Sequence, residues 1–445
     1  MNKKIGFVSL GCAKNLTDTE TMLGVLVNDG FEITADVTEA NVIVVNTCAF
    51  IESAKEESIN AILDMAKYKD GICELLIVTG CLAQRYRNEI EQELGEVDII
   101  LGTTDYDKIS RVIKEYYENG EKNSAVSDAN SAVSYELPRI LSTPSYMAYL
   151  KIADGCDNFC TYCIIPKLRG RYVSRPEGSI VAEAQRLAEN GVKEIILIAQ
   201  DTAYYGMERG KGALASLLKR LSQIDGIKWI RLQYCYPENI TDEIIDEIAS
   251  NKKIVKYIDM PLQHVSDNVL RRMGRKSRLA EIEQLIGKLR GKIPGLAIRT
   301  SIIVGFPGET DADFEILKSF IEKYRLDRVG VFEYSREENT PAAQFEDQIP
   351  DFVKQKRRNA LMELQSRVSA EINKEKEGTV TYAIVEGYDD ENFCYVGRTA
   401  ADTPEVDGAA YIYSTQELHA GDIVKIKIIS SDEYDITGEM INEFA

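Results

Sequence analysis

The chain has 445 residues, 44% apolar and 28% charged, with a formal net charge of −19. That length predicts about two to four domains, and the acidic balance argues against a general nucleic-acid binder, which needs a basic surface. No stretch reads as a secretory leader or approaches the roughly 18–20 apolar residues of a membrane span, so the nine cysteines read as cytoplasmic thiols, kept reduced and open to metals.

The chain opens on the strand pattern KIGFVSL, followed by TDTETMLGVLVND as a helix with Thr17 or Asp18 as its cap. NVIVVNT, ELLIVTG and VDIILGT are further strands, each separated by a helical pattern. Continuous apolar runs of this kind are buried on both faces, which predicts a doubly wound parallel sheet over residues 1–122. Cys12, Cys48 and Cys81 each stand just past the carboxyl end of one of these strands. Those ends share one side of an open α/β sheet, where ligands gather, so three distant thiols are expected to converge on a metal cluster. The bland alternative is that small cysteines cap buried strands. Cys73, Cys235 and Cys394 have no such partners and read as core thiols.

Residues 123–143 are rich in Asn, Ser, Ala and Pro without periodicity and read as a linker. Beyond it, MAYLKIA is a strand that runs into Cys156, Cys160 and Cys163, spaced C-x3-C-x2-C. A thiolate triplet in one loop suits an iron–sulfur cubane with one iron left open. Zinc, the competing metal, wants four Cys or His ligands, and neither of the chain's two histidines, His264 and His419, lies nearby in sequence.

Five more strand patterns follow (EIILIAQ, IKWIRLQY, KYIDMPL, LAIRTSIIVGF and RVGVFEYS), with helical stretches between them. Over residues 144–375 this predicts a partial barrel of parallel strands, with its active site on the carboxyl rim. Gln200 and Asp201 follow the second strand, His264 the fourth, and the turn Gly305-Phe306-Pro307-Gly308-Glu309 the fifth. Gln200, Asp201, Gly305, Pro307, Gly308 and Glu309 are the candidate cofactor contacts, because a glycine turn lets backbone approach a ligand. Two basic runs share the rim: Lys167, Arg169, Arg171 and Arg175, then Arg271, Arg272, Arg275, Lys276 and Arg278. They read either as a solvated face or as binders of cofactor or substrate carboxylates. His264 is a proton carrier or a structural histidine.

Residues 376–445 switch to five short strands parted by turn residues, the pattern of a small β-barrel of a shape often used on nucleic acid. From Gly378 onward, fourteen acidic residues face three basic ones, a net of −11. Such a surface repels a phosphate backbone and attracts a basic protein, unless it serves solubility alone.

With Tyr162 just before Cys163, the triplet resembles that of the radical S-adenosylmethionine (SAM) enzymes. The whole order resembles the methylthiotransferases, with LGCAKNLTDTE around Cys12, NTCAFI around Cys48, TGCLAQRY around Cys81 and GCDNFCTYCIIPKLRGRYVSR around the triplet. One branch of that family modifies adenosine in transfer RNA, and the other, the RimO type, modifies an aspartate of ribosomal protein S-twelve. Gln200-Asp201-Thr202, Asp259 through His264 and Tyr334 through Glu338 are similar to the RimO type, whereas Asn339 stands where the family more often has glycine. The resemblance implies a doubly wound N-terminal domain, a radical SAM partial TIM barrel and a TRAM barrel. It implies two 4Fe–4S clusters, one on Cys156, Cys160 and Cys163 that cleaves SAM to a 5′-deoxyadenosyl radical, and one on Cys12, Cys48 and Cys81 that supplies the methylthio group. A second SAM as methyl donor and an electron donor such as flavodoxin or ferredoxin follow from it. A cluster-binding sensor without turnover is the alternative from another class, and the substrate-sized rim speaks against it.

Overall fold

A computed structural model describes residues 3–441. At the N-terminal end, five parallel strands form one sheet in the spatial order Glu32–Thr34, Lys4–Ser9, Val42–Thr47, Leu75–Gly80, Ile99–Leu101. Val42–Thr47 and Leu75–Gly80 are buried at every position, as the apolar runs require of a sheet covered on both faces. The short edge strand Glu32–Thr34 has no apolar run to announce it. The first helix begins earlier than its capping residues suggest. It spans Ala13–Asn28 with Cys12 in the cap position, and Thr17 and Asp18 lie buried within it. The reason is tertiary: the Asp18 carboxylate is taken by two cations from the next domain.

Residues 123–143 are fastened along their length rather than hanging as a tether. Ala125 bridges to Leu101, Ile140 N–H donates to the Glu20 carbonyl at 3.0 Å, and Arg139 pairs with buried Glu20 at 2.5 Å. Six parallel strands follow in two arcs. The first comprises Met147–Lys151, Glu194–Ile198 and Trp229–Leu232, and the second Tyr257–Asp259, Ala297–Val304 and Arg328–Glu333. An Ile230–Ile254 bridge stands where the arcs meet, so the six strands make a partial barrel in chain order. Its helices bury a continuous aliphatic core against the outer faces of the strands.

The last five strands, Val380–Asp389, Cys394–Thr399, Ala410–Tyr413, Ile423–Ser431 and Ile436–Met440, close into a small barrel. Its loop 399–407 reaches into the larger barrel. Arg231 donates to the Ala400 carbonyl at 2.9 Å, Gln233 to Thr403 at 2.6 Å, and Arg328 pairs with Asp402 at 2.7 Å. Beside it, Glu194 sits fully buried between Arg231, at 2.9 Å, and Arg398. Among the described residues no helix is long and apolar enough to cross a membrane.

Breaking a buried ion pair from one side leaves an uncompensated charge in a low-dielectric interior. Glu194→Ala should therefore cost about 3–5 kcal/mol of stability by leaving Arg231 without a carboxylate and Arg398 with Glu386 alone. Chemical denaturation read by circular dichroism checks this, and a midpoint equal to wild type would mean that the two arginines find other partners.

Candidate functional site

The strand order of the N-terminal sheet reverses between Lys4–Ser9 and Val42–Thr47, and an α/β sheet opens a crevice at that point. Cys12 follows the first of these strands, Cys48 the second, and Cys81 follows the neighbouring Leu75–Gly80. All three therefore stand on one side of the sheet, past its carboxyl ends. A Cβ placed on Gly11 would lie 3.2 Å from Cys48 Sγ, and Cys81 Sγ lies 3.8 Å from Asn15 Oδ1. Burial pushes the Cys81 thiol up to about 12, with Cys12 and Cys48 adding to the rise, and burial also raises Cys48. Cys12 is the exposed one of the three; surrounding protein would raise its thiol, yet the charges of Lys14 and Arg169 outweigh that and hold it below its usual value.

The second set stands past the first strand of the partial barrel. Cys156 and Cys160 are buried and Cys163 is partly so. Burial raises Cys156 to about 11 and raises Cys163 further, with neighbouring thiols contributing in each case. Thiols so placed become thiolates when a metal displaces the proton, and three of them in one loop form a donor set that a cubane accepts. Among the described residues no three His, Cys, Asp or Glu side chains converge tightly enough for a single ion. That tight convergence is what zinc needs, whereas each thiolate of a cubane takes a separate iron.

Polar contacts join the two thiol sets across the domain junction. The short helix Ile165–Arg169, directly after the triplet, points Arg169 at the N-terminal domain. Its guanidinium donates to Asn15 Oδ1 at 2.5 Å and pairs with Asp18 at 2.6 Å and Asp154 at 3.2 Å. Asn15 in turn donates to the Thr47 and Leu10 carbonyls, at the ends of the strands that carry Cys48 and Cys12. Lys151 completes the group by pairing with Asp18 and Asp154, at 2.5 and 3.1 Å.

The rim residues divide by what they touch. Asp201 is buried and accepts from Asn239 at 2.7 Å and from Asn158 at 3.1 Å, and Asn158 lies inside the cysteine loop. Burial raises the Asp201 carboxyl to about 6. Gln200 donates to Asp154 at 2.8 Å and leaves Oε1 buried with no partner. The turn after the fifth strand approaches the chain itself. A Cβ on Gly305, where φ is +70°, would lie 2.3 Å from Lys354, and one on Gly308, at +80°, would lie 2.6 Å from Arg272 and Asp347. Glu309 Oε2 accepts from Phe306 N–H at 3.0 Å, Arg357 lies 3.3 Å from its other oxygen, and burial raises it to about 7. The Pro307 carbonyl accepts from Arg272 at 2.9 Å. Through this bracing the turn sets Phe306 edge-on to Tyr162, with ring centres 6.3 Å apart.

His264 is fully buried, and Nδ1 accepts from Ser266 N–H at 3.0 Å. Burial lowers it to about 3, so it stays neutral near pH 7. The basic runs split as well. Arg272 pairs with Asp347, Arg175 with Glu183, and Arg278 donates to three carbonyls of its own loop. Arg275 alone of the second run is buried facing the cysteine loop. It stacks on Tyr236 at 4.1 Å, donates to the Pro261 carbonyl, and keeps Nε and Nη1 without partners. The basic run marks Arg275 in the sequence but does not separate it from its neighbours. Asp18, Lys151 and Asp154 carry no sequence pattern that sets them apart. Several rim residues other than glycine have positive φ, namely Phe159, Tyr234, Gln263 and Asn339, a concentration of backbone strain typical of functional sites. At Asn339 φ is +62°, a region that glycine prefers and asparagine tolerates, which accounts for the exchange noted there.

Three family models match the chain: the uncharacterized protein family UPF0004 over residues 4–102, the radical SAM superfamily over 150–321 and the TRAM domain over 378–441. The ribosomal protein uS12 methylthiotransferase RimO of Acetivibrio thermocellus is 51% identical, over 100% of this chain and 99% of its own. The protein of the same name from Clostridium tetani is 49% identical, over 99% and 98%. Among solved structures, the radical SAM methyltransferase TsrM of Kitasatospora setae shares the fold with a TM-score of 0.57 at 14% identity, over 77% of this chain and 74% of that one. Identity of about half, sustained over whole chains, leaves one conclusion: this chain belongs to the RimO family of radical SAM methylthiotransferases.

Proposed function

We propose that the chain inserts a methylthio group at the β-carbon of an aspartate of small-subunit ribosomal protein uS12, in the cytoplasm, using SAM and two 4Fe–4S clusters. Membership of the radical SAM superfamily implies SAM and one 4Fe–4S cluster. Cys156, Cys160 and Cys163 would hold that cluster and leave one iron free of protein ligands. Near them Arg275 Nε and Nη1, Tyr162 Oη and Gln200 Oε1 are buried without partners, the state of polar atoms that await a charged, hydrogen-bonding ligand. Arg275 suits the SAM carboxylate, and Gln200 Oε1 suits its ammonium group. When bound, cluster and SAM together supply a carbon radical able to take hydrogen from an unactivated C–H bond, which no side-chain base achieves near neutral pH. Cys12, Cys48 and Cys81 would hold the second cluster, as the source of sulfur.

The chain's own residues position these groups. Asp201 orients the cysteine loop through Asn158, and the Gly305–Glu309 turn braces Tyr162 through Phe306. Both are positioning elements of the cofactor site. The observation that carries the reading is the run Cys81–Asn15–Arg169–Asp154, which brings both thiol sets to one junction. For the substrate, the net of −11 on the last domain favours a basic protein over a phosphate backbone, and the relatives are named for uS12.

Anaerobic reconstitution should load about eight irons per chain, two cubanes' worth. A content that falls to about four when Cys12→Ala, Cys48→Ala and Cys81→Ala are combined would fit the second cluster, whereas wild type at about four would remove it. Mass spectrometry after turnover should find a methylthio adduct on uS12, and an adduct on transfer RNA alone would transfer the activity to the other branch. Arg275→Gln should weaken SAM binding about tenfold or more, the loss of a charge-assisted bond of about 1.5–3 kcal/mol. Equilibrium dialysis with SAM checks this, and unchanged affinity would take Arg275 out of the site.

A further inference from the structure

Most rim cations are committed to carboxylates or carbonyls, but on the outer side of the cysteine loop Arg271 and Lys276 are not. Arg271 ends the helix Asp267–Arg272 and Lys276 follows in the next loop. Both are exposed, and among the described residues neither has a carboxylate within ion-pair reach. Arg171 is 64% exposed, pairs with Asp157 at 2.9 Å, and lays its guanidinium 4.9 Å from the Phe159 ring. Phe159 is 50% exposed, sits beside Cys160 in the loop, and has φ +48°, a strained conformation that turns an apolar ring outward.

These residues form one patch. Thr161 donates its N–H to the Met273 carbonyl at 3.0 Å and its hydroxyl to the Arg272 carbonyl at 2.8 Å, which ties the cysteine loop to the end of the helix that bears Arg271. Lys276 lines a small cleft with Asp157 and Asn158 of the loop and with Asp201 and Tyr204 beside it. Arg275, between Arg271 and Lys276 in the same basic run, points inward. The loop therefore shows one cation to the cofactor side and three to solvent, around an exposed aromatic ring.

A cluster on these thiolates must receive electrons from outside, and electron transfer weakens steeply with distance. The outer face of the loop offers a short route, since Phe159 and Cys160 are adjacent. We propose that this face, centred on Phe159 and rimmed by Arg171, Arg271 and Lys276, is the docking surface for a small acidic protein that carries single electrons. The inference rests on the reading of Cys156, Cys160 and Cys163 as iron ligands. A cluster held there would accept one electron from the reduced carrier, which would be oxidised by one electron, and no bond would be made or broken. Complementary charge on an otherwise acidic protein fixes where such a carrier lands, because the remaining surface repels it.

The test uses the full, iron-loaded chain and two probes, a bacterial flavodoxin and an acidic bacterial ferredoxin. Binding is measured in solution against ionic strength, and 5′-deoxyadenosine formation is driven either by reduced probe or by dithionite. Wild type should bind at least one probe in a salt-sensitive manner. The double variant Arg271→Glu, Lys276→Glu should bind it about tenfold more weakly and lose probe-driven product in proportion, with iron content and dithionite-driven product unchanged. If the reversal lowers iron content, Arg271→Gln with Lys276→Gln is read in the same way. Binding by the variants as tight as wild type, or no binding of either probe to wild type, overturns the surface. Failure of dithionite to yield product from wild type would count against the cluster reading instead, and the binding arm would still decide the surface.

Discussion

Asp18 holds the architecture at its critical junction. One carboxylate, buried in the first helix, receives Lys151 from the first barrel strand and Arg169 from the helix behind the cysteine triplet. Two cations and a carboxylate removed from water are costly unless each finds its partners, and Asp154 supplies the remaining negative charge. Any other seating of the domains would strand at least one of these charges. The junction is thus selected as much by the penalty for misalignment as by attraction. Because Arg169 also grips Asn15, the same contacts that seat the domain tie the helix behind the triplet to the strand ends that precede Cys12 and Cys48.

A similar logic operates at the other end of the barrel. Glu194 lies between Arg231 and Arg398, and loop 399–407 is held by Arg231, Gln233 and Arg328. The small barrel is therefore fixed by a buried charge and not left on a flexible stalk. Its acidic exterior consequently has a defined direction relative to the rim.

The rim shows how a fold allots similar residues to different work. Of the second basic run, Arg272 braces the turn through Pro307 and Asp347, Arg278 closes its own loop, Arg275 faces the cofactor side, and Arg271 and Lys276 face solvent. Glu309 and the glycines of its turn, which resemble a ligand cradle in sequence, press against Lys354, Arg272 and Arg357 instead. Their contribution reaches the site through Phe306 and Tyr162.

Sequence alone determined four of the five strands of the sheet and the strands of both barrels; runs such as VIVVNT and EIILIAQ are buried on both faces and leave little choice of element. It also marked both sets of thiols as candidate ligands, since ligand chemistry depends on residue type and on position after a strand, both of which are written locally. The start of the first helix was misplaced at Thr17 or Asp18, because those side chains serve a neighbouring domain and not a cap. Only the tertiary structure decided which arginine faces inward, that Asp201 accepts from Asn158 of the cysteine loop, and that Asp18 pairs across the junction. Each of these depends on a partner far away in sequence. A charge's role is set by what it meets after burial, and no local pattern records that.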